Sequence, residues 1–327
     1  MGSETPTQLP VIDFSNQNLK PGSLEWDSVK TQVRQALEEY GCFEASYDKA
    51  SSELRKAVFE SLKELFELPL ETKMKNVSEN PSHAYISPHP SAPLYESIGI
   101  EDPDIGGNVE SLANSFWPHG NTSFRFIGLM VEQLSELDRV VRRMILESFG
   151  IEKYMEEHMN STKYLLRAMK YKPPNTSEKK LGSRDHTDKN IVTVLCQGIQ
   201  GLEIQLKNGE WITAKPHSLT VFIGDSLFMI MEWDRGSWYG LAWLNGRLHT
   251  PYHRVMMKGN EPRYSFGLFS NPKKGYIIKA PEELVDEEHP LMFKPFDFHD
   301  FLRFFHSDAA RKSQSAFHTF CALHSNT

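Results

Sequence analysis

The stretch Gly182-Ser183-Arg184-Asp185-His186-Thr187-Asp188 decides how this chain is interpreted. It places a histidine two residues before a carboxylate, and His253 follows far downstream. Two imidazoles and one carboxylate are the set that holds Fe(II) on one face of an octahedron and leaves the other face open. Residues i and i+2 of a strand or extended turn face the same way, so His186 and Asp188 can bind one ion. His186, Asp188 and His253 are therefore the predicted metal ligands.

A second motif, Arg263-Tyr264-Ser265, begins ten residues after His253. Its guanidinium and its serine hydroxyl are two residues apart, so on a strand they point to the same face. Arginine suits a carboxylate better than lysine does, because its planar fork donates two parallel hydrogen bonds. The motif predicts a site for a dicarboxylate. Together with the metal ligands it predicts an oxygenase that depends on Fe(II) and 2-oxoglutarate.

Composition and net charge limit the classes of partner that we expect. The formal charge is −7 and no basic run occurs, which argues against a nucleic acid or an anionic membrane as partner. Hydrophobic residues make up 39 % of the 327 residues, enough for a sizeable core. The first residues lack the charged and apolar stretches typical of a signal peptide, so we expect none. The longest apolar run, Leu219 to Met231, is interrupted by Asp225 and is too short to cross a bilayer. The three scattered cysteines suggest neither disulfides nor a zinc cluster, so we expect a cytoplasmic protein.

Amphipathic patterns predict helices in the first half of the chain. Apolar residues from Val29 to Tyr40 recur at helical spacing, and Gly41 stands where a C-terminal cap belongs. The other predicted segments are strands over 8–14 and 42–45 and helices over 52–66 and 123–149. The segment 76–121 is rich in Pro, Ser, His and Gly, so we expect a mostly irregular connection that helps to wall a substrate cavity.

After residue 160 the pattern changes to short β-type runs separated by turns. The runs are 163–172, 191–196, 202–206, 211–214, 219–223 and 263–269. Asn208-Gly209 lies between two of them and predicts a tight hairpin. Such runs favour a sandwich or a double-sheet barrel. Helices are predicted again in the tail, over 281–284, 297–307 and 309–318.

Longer motifs surround the residues named above. They are Leu9-Pro10-Val11-Ile12-Asp13, Tyr40-Gly41-Cys42-Phe43, Leu68-Pro69-Leu70-Glu71-Thr72-Lys73, Asn245-Gly246-Arg247, His253-Arg254-Val255 and the tail Glu283 to Pro290. With them, nearly the whole chain resembles the plant 2-oxoglutarate/Fe(II)-dependent dioxygenase superfamily, and within it the AOP-type branch.

The resemblance implies a mainly β protein with flanking helices. Its core would be a double-stranded β-helix, or jelly roll, wrapped by N-terminal and C-terminal helices. The implied regions are an N-terminal dioxygenase region over 1–122, the jelly-roll core with its preceding long helix over 123–275, and a helical tail over 276–327.

The resemblance also assigns roles to single residues. His186, Asp188 and His253 match the iron ligands of the family, and Arg263 and Ser265 match the pair that binds the far carboxylate of 2-oxoglutarate. Tyr171 matches a tyrosine that often assists there, whereas Met169 stands where the family more commonly has Asn. The family couples decarboxylation of 2-oxoglutarate by O2 to oxidation of a second substrate, and ascorbate is expected to support turnover.

Two alternatives compete with this set of ligands. His249 lies four residues before His253, but Pro251 breaks any helix that would align the two, and the spacing of ten residues to Arg263 favours His253. Asp225 is interpreted as a turn residue rather than a ligand. A zinc hydrolase would use similar ligands but would leave Arg263 and Ser265 without a role.

Thirteen residues, Met229 to Leu241, interrupt the family pattern. In the family, the stretches that correspond to 224–228 and 242–247 run on without a gap. An insertion in a core strand either bulges out or shifts the register, and a one-residue shift turns every side chain to the other face. We expect a bulge that leaves His253 in place. The alternatives are an unspliced intron or faulty gene prediction, and a lid that uses Trp233, Trp238 and Tyr239.

The sequence thus predicts an oxygenase that oxidises a small apolar or amphipathic plant metabolite or a hormone-like molecule. Hydroxylation, desaturation, demethylation and ring closure are all compatible with such a centre. We expect a monomer with a small-molecule substrate and with neither a nucleic-acid nor a membrane partner. The alternative is a non-catalytic jelly roll that binds a small molecule or a protein, with an iron site impaired by the 229–241 insertion.

Overall fold

A computed structural model describes residues 8–80, 83–105, 107–226, 231–233, 237–239, 244, 247–291, 293–313 and 316–321. The strands are β1 Val11–Asp13, β2 Cys42–Ser46, β3 Tyr95–Glu101, β4 Thr162–Tyr171, β5 Thr176–His186, β6 Val192–Gln197, β7 Leu202–Gln205, β8 Trp211–Thr213, β9 Leu219–Ile223, β10 Met231–Trp233, β11 Ser237–Tyr239, β12 His253–Gly259, β13 Arg263–Pro272, β14 Ile277–Ile278 and β15 Phe296–Asp297. The helices are α1 Leu24–Glu39, α2 Ser52–Glu67, α3 Leu70–Lys73, α4 Asn108–Phe116, α5 Arg125–Ser148, α6 Met155–Asn160, α7 Phe298–Phe305, α8 Asp308–Lys312 and α9 Ala316–Cys321.

Two sheets form the core. The larger has the order β1-β2-β9-β6-β13-β4-β3, and the smaller has the order β5-β12-β7-β8. From β4 to β13 the chain passes back and forth between them, which is the connectivity of a jelly roll. Apolar side chains from both sheets pack between them, among them Leu195 and Phe222 of the larger sheet and Leu202 and Val255 of the smaller. The predicted fold class is confirmed.

Helices cover the outer face of the larger sheet. Their apolar faces arise from the helical spacing of residues such as Leu134, Leu137 and Val141 of α5, which are all fully buried. Ser23 and Ser51 cap α1 and α2, because each hydroxyl accepts a hydrogen bond from a backbone N–H of the first turn. The helices predicted in the first half of the chain are confirmed within a few residues.

The prediction for the segment 76–121 was incomplete. Most of its described residues are irregular, as predicted, but the segment also contains β3 and α4. Strand β3 forms the edge of the larger sheet and pairs with β4 along seven residues. The five inner residues of β3 are buried. The sequence prediction missed the strand because the segment before it is rich in Pro and Ser, which indicated a loop. Helix α4 buries Val109, Ala113 and Phe116 at helical spacing.

The two strands that end or begin at a predicted metal ligand are absent from the sequence prediction. Strand β5 is mostly exposed and reads Thr-Ser-Glu-Lys-Lys-Leu-Gly-Ser-Arg-Asp-His, so no apolar alternation reveals it. Strand β12 pairs with β5 and with β7, and this pairing sets His253 opposite His186 and Ile204. In the tail, the helix predicted over 309–318 is replaced by the short α8 and α9.

Only part of the predicted insertion lies within the described residues. There, β10 and β11 pair with each other as a separate two-stranded sheet and with neither sheet of the core. The rest of 229–241 lies outside the described residues. The boundaries at 122 and 275 stay predictions, and β1, β2 and β3 from the first region lie in the same sheet as the core strands.

Candidate metal and co-substrate site

His186, Asp188 and His253 come together at one end of the smaller sheet. The Nε2 atom of His186 lies 3.9 Å from Oδ1 of Asp188, and Nε2 of His253 lies 3.7 Å from the same oxygen. One potential donor atom from each residue lies within 4.8 Å of the other two. An ion about 2.1 Å from each of two donors bridges atoms up to about 4.2 Å apart, so both His–Asp pairs fit one metal ion. Two imidazoles and one carboxylate are also the donor set that suits Fe(II).

Neighbouring groups hold these side chains with the metal-binding atoms free. Nδ1 of His186 donates to the Arg184 carbonyl at 2.8 Å, and Nδ1 of His253 lies 3.4 Å from the Pro251 carbonyl. A carbonyl can only accept, so the proton lies on Nδ1 and each Nε2 keeps its lone pair for a metal. Thr193 donates its hydroxyl to Oδ2 of Asp188 at 2.6 Å, which turns Oδ1 toward the histidines.

The competing residues take other positions. His249 is buried, is not part of the group of three, and lies where its backbone carbonyl packs against Gly41. Burial lowers the pKa of His249 to about 4, so the imidazole is neutral at physiological pH. Asp225 accepts hydrogen bonds from Thr187 at 2.9 Å and from Lys189, and its backbone N–H donates to the Asp188 carbonyl at 2.6 Å. It supports the turn that carries the ligands, as the sequence suggested.

Arg263 lies at the other end of the space between the sheets. Its side chain is 1 % exposed, and Nη1 donates to the Ser265 hydroxyl at 3.1 Å. Nη2 donates to Oε1 of Gln197 at 2.9 Å, and the guanidinium carbon lies 5.0 Å from the centre of the Tyr171 ring. In the described part of the chain no carboxylate forms an ion pair with it. Burial lowers the pKa of Arg263, and the Tyr171 hydroxyl opposes that shift.

One cavity of about 350 Å³ joins the two ends. Its lining includes all six residues that the sequence singled out: Tyr171, His186, Asp188, His253, Arg263 and Ser265. Leu195, Leu202, Phe222 and Val255 form the apolar walls between them. A dicarboxylate placed there can reach Arg263 with one end and the three metal-binding side chains with the other.

Sequence reasoning missed Thr193 and Gln197. Both lie on β6, four residues apart and hence on the same face of the strand. Each contacts one end of the site, since Thr193 holds Asp188 and Gln197 holds Arg263. The sequence offered only a weak signal, two polar residues in an otherwise apolar run, and nothing in it shows which residues they contact.

Comparison with known proteins decides the family. Residues 156–272 match the 2OG-Fe(II) oxygenase superfamily, and residues 9–95 match the N-terminal region described as non-haem dioxygenase in morphine synthesis. Over 326 residues the chain is 54 % identical to "Probable 2-oxoglutarate-dependent dioxygenase AOP1.2" of Arabidopsis thaliana, which covers 97 % of this chain and 96 % of that relative. The chain belongs to the 2-oxoglutarate-dependent dioxygenase family. Within that family the similarity places this dioxygenase in the AOP-type branch.

Solved structures agree on the fold of the dioxygenase. The dioxygenase for auxin oxidation in rice superimposes with a TM-score of 0.76 at 25 % identity, over 97 % of this chain and 100 % of that chain. The JOX2 complex with 2OG, Fe and JA has a TM-score of 0.72 at 22 % identity, over 91 % of this chain and 85 % of that chain. Fe(II), 2-oxoglutarate and O2 are the cofactor and co-substrates of this family.

Proposed function

We propose that His186, Asp188 and His253 bind Fe(II), and that Arg263 and Ser265 bind the far carboxylate of 2-oxoglutarate with Tyr171 beside them. The observation that carries the proposal is the position of Arg263, a fully buried cation without an acidic partner among the described residues. A buried charge needs a counter-charge. The cavity connects this guanidinium to the cluster of His186, Asp188 and His253, so a bound dicarboxylate supplies that counter-charge.

Bound iron supplies the oxidative chemistry, in which decarboxylation of 2-oxoglutarate by O2 to succinate is coupled to oxidation of a second substrate. The protein positions the reactants and keeps water away. Gln197 holds the Arg263 guanidinium in place before the co-substrate arrives, and Thr193 does the same for Asp188. The apolar walls from Leu195 and Phe222 exclude water and strengthen both sets of polar contacts.

The second substrate is, we propose, a small plant metabolite or hormone-like molecule. The cavity has a volume of about 350 Å³ and both apolar and polar walls, which suits a small amphipathic molecule rather than a polymer. Within the described residues, no helix combines the length and the apolar character that crossing a membrane requires. A cytoplasmic location, a monomeric state, a role in specialised metabolism and a stimulation by ascorbate are part of the same proposal, as is the absence of a nucleic-acid partner.

The test compares His253→Gln with His249→Gln. We expect the wild type to bind Fe(II) and to form succinate from 2-oxoglutarate, because the ligand set and the buried arginine lie in one cavity. His253→Gln removes an imidazole from the metal site and should abolish both properties, whereas His249→Gln should retain iron binding. The measurements are iron titration and succinate formation with Fe(II), ascorbate and 2-oxoglutarate.

Two outcomes would contradict the proposal. If the wild type binds neither iron nor 2-oxoglutarate, the non-catalytic binding protein becomes the better interpretation. If iron binding survives in His253→Gln and disappears in His249→Gln, the third ligand is wrongly assigned.

A further inference from the structure

A second buried arginine lines the same cavity. Arg167 lies on β4 and is 9 % exposed, and its Nη1 donates to the Ser97 hydroxyl of β3 at 2.8 Å. In the described part of the chain no aspartate or glutamate forms an ion pair with it. The remaining buried arginine of that part, Arg142, differs in this respect, since it pairs with Asp138 at 2.7 Å. Arg142 is thus a structural arginine, whereas Arg167 and Arg263 both leave a charge uncompensated beside the cavity.

Arg167 lies too far from Arg263 to serve the same anion. It is in register with Gly267 of β13, four residues after Arg263, which corresponds to about 13 Å between Cα atoms along the strand. The metal-binding side chains lie on the other side of β13, because Thr193 of β6 contacts Asp188 and Phe222 of β9 stacks on His253. A co-substrate between Arg263 and these side chains therefore runs toward β6 and away from Arg167.

The side chains around Arg167 suit a ligand with an apolar body. Leu165 of β4 and Phe269 of β13 line the cavity on this side, and Phe298, Leu302 and Phe305 of α7 line it from the tail. His83 closes it beside β3, where Gly99 has no side chain to keep the His83 carbonyl away. His83 cannot neutralise Arg167, because an imidazole is neutral or cationic; its Nδ1 lies 2.7 Å from a carboxylate oxygen of Glu101.

We propose that Arg167 binds a carboxylate of the substrate, so that this dioxygenase oxidises a small organic acid with an apolar body. The guanidinium holds the carboxylate at the β3–β4 side of the cavity, and the apolar body lies between Phe269 and α7. The Ser97 hydroxyl keeps the guanidinium oriented toward the cavity. This inference rests on the proposed function, since it names the substrate class for the same site.

The probes are an acid and its neutral amide, 4-phenylbutyrate and 4-phenylbutyramide. Both are titrated calorimetrically, without oxygen, into the wild type loaded with Fe(II) and saturating 2-oxoglutarate. A hydrogen bond between charged groups predicts that the acid binds about 10- to 100-fold more tightly than the amide. Equal affinities, or no measurable binding of the acid, would overturn the proposal without the need for any variant.

Variants then test whether Arg167 causes the preference for the acid over the amide. Arg167→Gln should abolish the difference between acid and amide, and Arg167→Lys should retain part of it, because a point charge remains. The matched control is Lys170→Gln, which removes the same charge from the opposite face of β4 and should keep the full difference. If Arg167→Gln does not fold, as judged by circular dichroism, Ser97→Ala takes its place and should weaken binding of the acid several-fold and that of the amide not at all.

The remaining outcomes separate this inference from the proposed function. A preference for the acid that survives in folded Arg167→Gln would overturn the inference. So would a loss of affinity for 2-oxoglutarate in that variant as large as the loss for the acid, because Arg167 would then belong to the co-substrate site. A wild type that binds neither iron nor 2-oxoglutarate defeats the proposed function, whereas one that binds both and prefers no acid defeats only the present inference.

Discussion

Thr193 shows how a single hydroxyl orients a side chain of the proposed metal site. It is 1 % exposed, and its hydrogen bond to Oδ2 of Asp188 leaves Oδ1 facing the two histidines. A group that orients a metal ligand typically accounts for a 10- to 100-fold difference in metal affinity. Sequence motifs do not identify such residues, because the contacts of a threonine in a buried strand depend on the register of that strand.

The first prediction concerns Thr193→Val, which keeps the shape of the side chain and removes the hydroxyl. Because Asp188 is then free to rotate, we expect Fe(II) affinity to fall about 10- to 100-fold while the fold is retained. Titration with Fe(II) under anaerobic conditions measures the change. The control is Thr220→Val, a buried threonine on the neighbouring strand β9. Similar affinities for the two variants would show that Thr193 does not orient the ligand.

The residues of the site divide according to whether sequence alone could identify them. The sequence predicted His186, Asp188, His253, Arg263 and Ser265, because their types and spacing match one known chemistry, and the structure brings all five to one cavity. Gln197 and Arg167 were not found, since both depend on which strands become neighbours. Gln197 reaches Arg263 only because β6 pairs with β13, and Arg167 faces the cavity only because β4 lies beside β13 in a particular register.

At the scale of elements, a buried network ties α5 to β4. Arg142 pairs with Asp138 one turn earlier, and Asp138 also accepts a hydrogen bond from the Tyr164 hydroxyl of β4 at 2.7 Å. Arg142 donates in addition to the Thr162 hydroxyl at 3.0 Å. Strand β4 carries Arg167 and Tyr171 further along, so the helix holds the strand that supplies this wall of the cavity.

The second prediction is that Asp138→Asn destabilises the protein by about 3–5 kcal/mol, because it leaves the Arg142 charge buried and unpaired. The matched control is Arg143→Gln on the same helix, which breaks the partly exposed pair with Glu147 and should cost less than about 1 kcal/mol. Urea denaturation gives the free energy of unfolding of each variant. A loss for Asp138→Asn no larger than that for the control would contradict the role of the network.

Helices and strands could be predicted from sequence where apolar residues recur regularly along one buried face. Helix α5 has an unbroken apolar stripe, and its predicted bounds differ by two residues or fewer from those observed. Strands β5 and β12 were missed, because their pairing with each other and with β7 depends on contacts distant in sequence rather than on local alternation. Strand β3 was hidden by the composition of the segment before it.

At the scale of the whole molecule, the position of His253 is fixed by its neighbours rather than by the chain that precedes it. Strand β12 is held between β5 and β7, with His253 opposite His186 and Ile204. The described part of the insertion pairs only with itself. The length of the connection between β9 and β12 therefore need not alter the register of the metal ligand.

The third prediction follows for a variant that lacks residues 229–241. We expect it to bind Fe(II) and to form succinate as the full chain does, because the strands on both sides of β12 are unchanged. Iron titration and succinate assays on the two proteins measure this. Equal activity excludes damage to the site by the segment, whereas loss of iron binding in the shortened protein would contradict the idea of an external bulge. Retained succinate formation with lost oxidation of an organic acid would indicate a lid.

An interior strand of the larger sheet, β13, is synthesised late. Strand β13 lies between β4 and β6 and pairs with both, yet it follows them by many residues. On the ribosome, the nascent chain therefore carries two unpaired strand edges until β13 emerges, and such edges invite aggregation or chaperone binding. Arg263 and Ser265 open that same strand. A truncated translation product that ends before β13 lacks both the strand that joins β4 to β6 and the two side chains proposed to bind the co-substrate.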